Sequence, residues 1–367
     1  MPSFRTRRTT IIDNQQNKTP YDIWLDELND SGNASLAKHA CGKIFTAADP
    51  DQKGNVRFKK LDKTPFRATL IAEVGSEADG THLSALPKQL PPSFKLPLDD
   101  FNAMKGNRMS FGLRRPTGAP ADLCKAFRNA AFACDSVRNA DLVEEEKNGQ
   151  VFNAFESVNV KPGEDGEDDI TIVLKLHPTF ELPASAASTP ATPRSRRRIT
   201  RAPSPTDEEP PKDSVADAEG DVDMDGCRTV GDKYPATVFP EIRDASSKIW
   251  KATNKVVAPQ REYKDIDGSL IAPHELRNKF TEGTLVLVIV ELVTYVIKDQ
   301  GKKIYHVLAD KVKILDYGNG EPWVVASPEE RSVPSPAKRP RDEALDTAFD
   351  NFGAKASPSK KSKKRSN

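Results

Sequence analysis

The sequence predicts a mainly β, α+β chain with a barrel-like sheet, and three observations lead there. Several short stretches alternate apolar and polar residues with period two, one stretch near 119–146 has helical spacing, and no internal repeat divides the chain. Composition adds that the fold leaves part of the chain out. Of 367 residues, 37% are hydrophobic and 30% charged, and 29 are prolines. Ordinary globular chains carry roughly 45–50% apolar residues, glycine included. Parts of this chain therefore lack the buried surface that offsets ordering entropy.

Residues 1–50 open on the basic block Arg5 to Arg8 and run into YDIWLDELND, a candidate short helix. A first β-rich part covers 51–182. In it Val56-Arg57-Phe58 alternates, and Phe66 to Val74 reads as a strand stopped by Gly75. After a loop punctuated by Pro87, Pro91, Pro92 and Pro97, strand signals resume at Arg108 to Leu113. Leu123, Phe127, Ala130, Ala131 and Cys134 then fall at helical spacing, which predicts an amphipathic helix packed on the sheet. Val151 to Val158 and Asp169 to Leu176 follow as a hairpin around the acidic turn KPGEDGED.

Residues 183–232 are dominated by Pro, Ser, Ala and charge and read as a disordered linker. A second β-rich part covers 233–326. It holds a strand signal at Lys248 to Ala252, a short helix in Pro273 to Phe280, and the two strongest strands of the chain. Those are Gly283 to Ile297 and Lys303 to Leu315, joined by a tight turn. Residues 327–367 read as a disordered basic tail. Neither part shows five clear strands, so a single closed sheet drawing on both is expected, interrupted by the linker.

Several function classes are set aside. The apolar run Thr284 to Ile297 is too short to span a bilayer and contains Glu291, so it reads as a buried strand and no membrane partner is expected. The N-terminus lacks the apolar run of a signal peptide. Cys41, Cys124, Cys134 and Cys227 form no C-x-x-C pair and have no His at metal spacing, which argues against a structural zinc site and a disulfide framework; Asp168-Asp169 and Asp265/Asp267 could be metal carboxylates but read equally as turn chemistry, so no metal site is assigned. Nucleotide-binding, hydrolase and metalloprotease motifs are missing, and His39, His82, His177, His274 and His306 stand singly. The expectation is a binding protein without cofactor, not an enzyme, with His306 a satisfied core or surface residue.

The net charge of +1 hides strong local bias. Acidic residues gather at 144–146, 164–169 and 207–225, and basic ones at 5–8, 194–201, 338–341 and 360–365. Segregated basic blocks serve nucleic acids, import receptors or acidic partners. Lys338, Arg339 and Arg341 flank Pro340 in a cluster that resembles a monopartite nuclear localisation signal, and Lys360, Lys361, Lys363, Lys364 and Arg365 form a second. They imply a nuclear import receptor as partner and the nucleus as location; the alternative is a solubilising tail. Ser335 and Ser357 begin S-P-x-K motifs beside these clusters, and Thr192 approximates the pattern, which implies a proline-directed kinase. Each phosphate adds about −1.5 to −2 charge against the neighbouring lysines.

Single strands are held by basic grooves whose aromatic side chains stack on bases, at about 1–3 kcal/mol per base. Lys248, Trp250, Lys251, Tyr263, Tyr295, Lys303, Tyr305, Lys311 and Lys313 supply that combination and are the candidate contacts. Lys311 and Lys313 alternate with Val312 and Ile314, so both should leave the core on one face. The competing reading makes the aromatics core and the lysines protection for an edge strand.

Over about 245–316 the order is a strand with Trp250, a loop, a short helix and a long hairpin. It resembles the second half of an oligonucleotide-binding (OB) barrel. The lines GTLVLVIVELVTYVIK and KKIYHVLADKVKIL are similar in rhythm to the closing hairpin of single-stranded-DNA-binding proteins. The resemblance implies a nuclear single-stranded nucleic-acid-binding protein, DNA favoured, serving replication, repair or a mobile element. The alternative is a non-enzymatic chromatin or transcription adaptor that binds other proteins. A continuous positive groove holding the aromatics separates the first from the second.

Overall fold

A computed structural model describes residues 4–12, 18–30, 35–52, 54–86, 107–163, 168–182, 229–243, 256–318 and 343–352. Helices α1 (Phe4–Thr9) and α2 (Pro20–Asp30) precede strands β1 (Phe45–Ala47), β2 (Val56–Lys60), β3 (Ala68–Val74) and β4 (Ser110–Arg114). The long helix α3 (Ala121–Lys147) is followed by β5 (Asn153–Phe155), β6 (Val158–Pro162) and β7 (Asp168–Lys175). Then come β8 (Lys233–Pro235), β9 (Val257–Pro259), β10 (Tyr263–Lys264), the single turn α4 (Leu276–Lys279), β11 (Leu285–Ile297), β12 (Lys302–Asp316) and α5 (Glu343–Asn351). Strands outweigh helices, and the class is mainly β with α elements.

Five of these strands pair in a circuit that returns to its start. β3 is antiparallel to β4, β4 to β7, and β11 to both β3 and β12, while β7 and β12 are parallel. β3, β4 and β7 come from the part before the 183–232 stretch, and β11 and β12 from the part after it. β2 and β1 extend the sheet from β11, and β5, β6 and β10 pair beside β12 and β7. Circular pairing leaves these five strands without the open edge that invites aggregation.

The apolar run of β11 is explained by cover on both faces. Val286, Val288, Val290 and Leu292 point inward with Val307, Ala309, Val312 and Ile314 of β12, against Phe127, Ala130 and Ala131 of α3. Leu285, Leu287 and Ile289 point outward and are covered by Tyr21, Trp24 and Leu28 of α2 and by Leu345 and Phe349 of α5. A register shift follows Ile289, which pairs with Lys311 while Val290 pairs with Ala309. Asp310 is the extra residue of this bulge, and it accepts a hydrogen bond from Arg67.

Helix α5 falls inside the tail that composition marks as disordered, so there the structure differs from the sequence reading. Nine residues do not hold a helix alone. Leu345, Phe349 and Phe352, spaced to share one face, are 4%, 0% and 4% exposed because the sheet and α2 receive them. Replacing Phe349 by Ala is therefore expected to release α5 while β11 stays protected, since emptying a buried Phe site costs about 3–5 kcal/mol. Hydrogen exchange read separately at 345–352 and 285–292 checks this, and unchanged exchange at 345–352 contradicts it. The expected disorder of 183–232 falls, up to residue 228, outside the described residues.

Candidate functional site

The structure separates the sequence-predicted contacts into groups. Lys248, Trp250 and Lys251 lie outside the described residues, as do Thr192, Ser335 and Ser357 and the cations Lys338, Arg339, Arg341, Lys360, Lys361, Lys363, Lys364 and Arg365. Five of the remaining candidates are corrected. Tyr263 is 4% exposed and belongs to the inner core, where burial pushes its hydroxyl up to about 12. Tyr305 also faces inward; its hydroxyl donates to Asp141 Oδ2 at 2.9 Å, and Arg138 lies 5.8 Å from its ring centre. Lys303 is held by Asp141 at 3.1 Å and Glu145 at 2.9 Å, both on α3.

Lys311 and Lys313 leave the inner core as their alternation requires, but α5 covers them. Lys311 is 2% exposed and pairs with Glu262 and with Asp346 of α5, each at 2.9 Å. Lys313 is 8% exposed and donates to the carbonyls of Asp350 and Phe352 at 3.1 and 2.7 Å, at the helix C-terminus where a cation is favoured. The N-terminal arginines are spoken for as well. Arg7 and Arg8 pair with Asp316, and Arg8 also pairs with Glu73.

Tyr295 differs from these five in being half-buried and in facing away from the inner core. It sits on the outward face of β11, beyond the reach of α2 and α5. The registers Tyr295↔Ile304 and Ile304↔Phe155 put Tyr295, Ile304 and Phe155 side by side across three strands. One row further, Val293 pairs with both His306 and Arg57. The Tyr295 and His306 rings meet edge-on with centroids 5.1 Å apart. Phe155 is 48% exposed, and the ammonium of Lys302 lies 5.5 Å from its ring centre. An aromatic platform results, with a cation at its tip.

The platform continues into charge. Lys175 pairs in register with Leu308 of β12 on one side and with Ser110 of β4 on the other. Arg108, just before β4, shares the outward face with Ser110, and its Nη1 donates to the carbonyl of Leu176 at 3.2 Å. Among the described residues, no carboxylate lies within ion-pair distance of Lys175 or Arg108, whereas Arg57 and Arg261 at the margins have Glu291 and Glu181. Burial lowers the Lys175 ammonium below its usual value, and the Arg108 charge adds to the effect.

Two imidazoles mark the same field. Burial, then the charges of Lys175 and Arg108, hold His306 down to about 4, and burial with Arg261 does the same to His177. Both are neutral in the folded protein at pH 7. As pH falls from about 6.5 towards 4, the unfolded chain takes up protons that the folded chain refuses, so stability drops in that window. Urea midpoints at pH 7.5, 6 and 5 are expected to fall, and less so in His306→Gln. A flat series from pH 7.5 to 5 contradicts the assignment.

Reading the sequence alone missed Phe155, Arg108 and Lys175, and treated His306 as bystander. For Lys175 a signal existed: it alternates with Ile172 and Leu174, which face inward. For Phe155 there was none, because its exposure depends on the pairing of β5 with the start of β12. Among the described residues, no three His, Cys, Asp or Glu side chains converge as metal ligands, and no helix is long and apolar enough to cross a membrane.

No protein-family model and no curated protein sequence matches the chain. Among solved structures it is similar, at a TM-score of 0.30 and 10% identity, to gp2.5, a single-stranded DNA binding protein encoded by bacteriophage T7. The likeness covers 74% of this chain and 98% of that one.

Proposed function

We propose that this chain binds single-stranded nucleic acid, DNA favoured, on an OB-like barrel, and does so without catalysis. One observation carries the reading: an outward-facing row of rings, the exposed Phe155 and the half-buried Tyr295 and His306, runs into the cations Lys175 and Arg108, which have no carboxylate within ion-pair distance among the described residues. Stacking on the rings and neutralisation of phosphates by the cations are the two elements of single-strand recognition. The strand circuit agrees. OB folds are five-stranded Greek-key barrels that bind oligonucleotides on the face of their second and third strands and on the loops before the second and fifth. Taking β3, β4, β7, β11 and β12 as strands one to five, that face carries Arg108 and Lys175, and the loop before the fifth strand leads into Lys302.

Fluorescence anisotropy with matched single-stranded DNA, double-stranded DNA and RNA tests this. Salt-dependent binding that is tightest for a single strand supports it. Absence of affinity for any of the three sinks it, and the adaptor reading takes its place. Nuclear accumulation through Lys338, Arg339, Arg341 and the 360–365 cluster, tuned by a proline-directed kinase at Ser335 and Ser357, belongs to the same proposal. Neutralising both clusters is expected to leave a fluorescent fusion cytoplasmic.

A further inference from the structure

Between α3 and the strands β11 and β12 lies a cavity of about 20 Å³. A water-sized guest needs about 10–15 Å³, so there is room for one. Thr294 of β11 lines the cavity from the inner face, since it follows Leu292 with period two and pairs in register with the inward Tyr305. It is 1% exposed, and its hydroxyl oxygen has no hydrogen-bond partner among the described residues. A buried hydroxyl left unpaired is costly, so the cavity is where that oxygen finds its partner.

Two carboxylates line the same cavity, Asp135 of α3 and Glu156 at the bend between β5 and β6. Burial, then the Glu156 charge, raises the Asp135 carboxyl above its usual value, so the two stand close. Neither has a cation within ion-pair distance among the described residues. Arg138 also lines the cavity, but its Nη1 donates to Glu145 at 3.2 Å and its guanidinium lies 5.8 Å from the Tyr305 ring centre. Neighbouring hydrogen bonds fix both backbones. Ser136 Oγ accepts from the Cys41 amide at 3.0 Å, and Ser157 Oγ donates to the Tyr305 carbonyl at 2.5 Å. Like charges are thus held together beside a buried oxygen that lacks a donor.

The donor set selects the guest. Two carboxylates and a hydroxyl are hard oxygen ligands, and magnesium is bound through one or two carboxylates with water completing its shell. Glu156 is exposed, so the mouth of the cavity admits those waters. Softer metals find less here. Burial pushes the Cys134 thiol up to about 12, so it offers no thiolate, and the His306 ring is turned outward against Tyr295. We propose that Asp135, Glu156 and Thr294 form a binding site for a hard divalent cation of the magnesium class, independent of the strand-binding face.

Terbium, a hard oxygen-seeking ion whose emission is sensitised by a nearby tyrosine, is the probe, with Tyr305 on the cavity wall as the antenna. The full chain is compared with its D135N/E156Q and T294V variants. Ions caught by the acidic stretch at 207–225 are common to all three and cancel in the comparison. Tyrosine-excited emission is expected to saturate in the parent and to be displaced by magnesium chloride. D135N/E156Q should lose about tenfold or more in affinity, the scale of lost contacts between charged groups, and T294V a smaller factor.

Melting temperatures keep folding and binding apart. Without added metal, D135N/E156Q should melt at or above the parent, because the amides remove the repulsion between the carboxylates. Magnesium chloride should raise the parent's melting temperature and leave the variant's unchanged. If the double variant melts well below the parent, E156Q alone, a change at an exposed residue, takes its place. The site is overturned, leaving a cavity that holds water alone, by any of three results. These are no saturable emission from the parent, equal terbium affinity in parent and variant, or magnesium that neither displaces the ion nor raises the melting temperature. No oligonucleotide enters these measurements, so failure of the strand-binding reading is seen separately.

Discussion

Replacing Glu73 by Ala is expected to lower the unfolding free energy by about 3–5 kcal/mol, a large share of the roughly 5–15 kcal/mol that a domain holds. Glu73 and Asp316 are both 0% exposed, and Arg8 is 1% exposed. Arg8 Nη1 donates to Glu73 at 3.1 Å, its Nε to Asp316 at 2.7 Å and its Nη2 to the Gly283 carbonyl at 2.7 Å. Arg114 and Thr117 converge on the same Glu73 carboxylate. Without it, buried Arg8 retains Asp316 and Arg114 retains Glu282 at 3.2 Å, but both lose a fully buried carboxylate and the Thr117 amide loses its acceptor. Deleting one member of such a group costs more than the pair contributes, because desolvated charge is left behind. Urea unfolding of full-length parent and variant measures this. A change below about 1 kcal/mol would show that water reaches the cluster and that α1 is not the clasp its hydrogen bonds imply.

Tyr295→Ala is expected to weaken single-strand binding by about 1–3 kcal/mol without changing its salt dependence, since stacking releases no counterions. Lys175→Gln with Arg108→Gln should do the opposite. The slope of log affinity against log salt should flatten by about 0.7 for each phosphate that is no longer neutralised, with base preference untouched. Neither change touches the inner core, so melting temperatures should stay close to the parent's. The pair of variants therefore separates the two halves of the mechanism. If both lower affinity only by lowering the melting temperature, the face is structural and the binding reading fails.

Much of the sheet was legible because strand burial writes itself locally. The outward–inward alternation of Lys311, Val312, Lys313 and Ile314 placed both lysines on the correct face. It could not disclose that α5, some thirty residues on, supplies Asp346 and the carbonyls that bury them. The same limit hid Arg8, whose partner Asp316 is 308 residues away. A basic N-terminal block reads as a solvent-seeking tail until its carboxylates are known. Glu73 did carry a hint, being a lone acid inside the apolar run ATLIAEV. Tyr305 and Tyr295 sit in strands of similar composition, and only the antiparallel register decides that one faces α3 and the other the surface. The platform is thus a product of pairing among β5, β11 and β12, which single-sequence periodicity does not encode.

Photo-crosslinking addresses the central claim most directly. A single strand carrying 4-thiothymidine, bound to the full chain and irradiated, leaves a covalent mark on the residues it stacks against, which mass spectrometry of tryptic peptides locates. The account predicts adducts on the segments holding Phe155, Tyr295 and His306, reduced in Y295A/H306A. Adducts confined to the basic clusters at 194–201 or 338–365, with the β11–β12 hairpin unmarked, would contradict it.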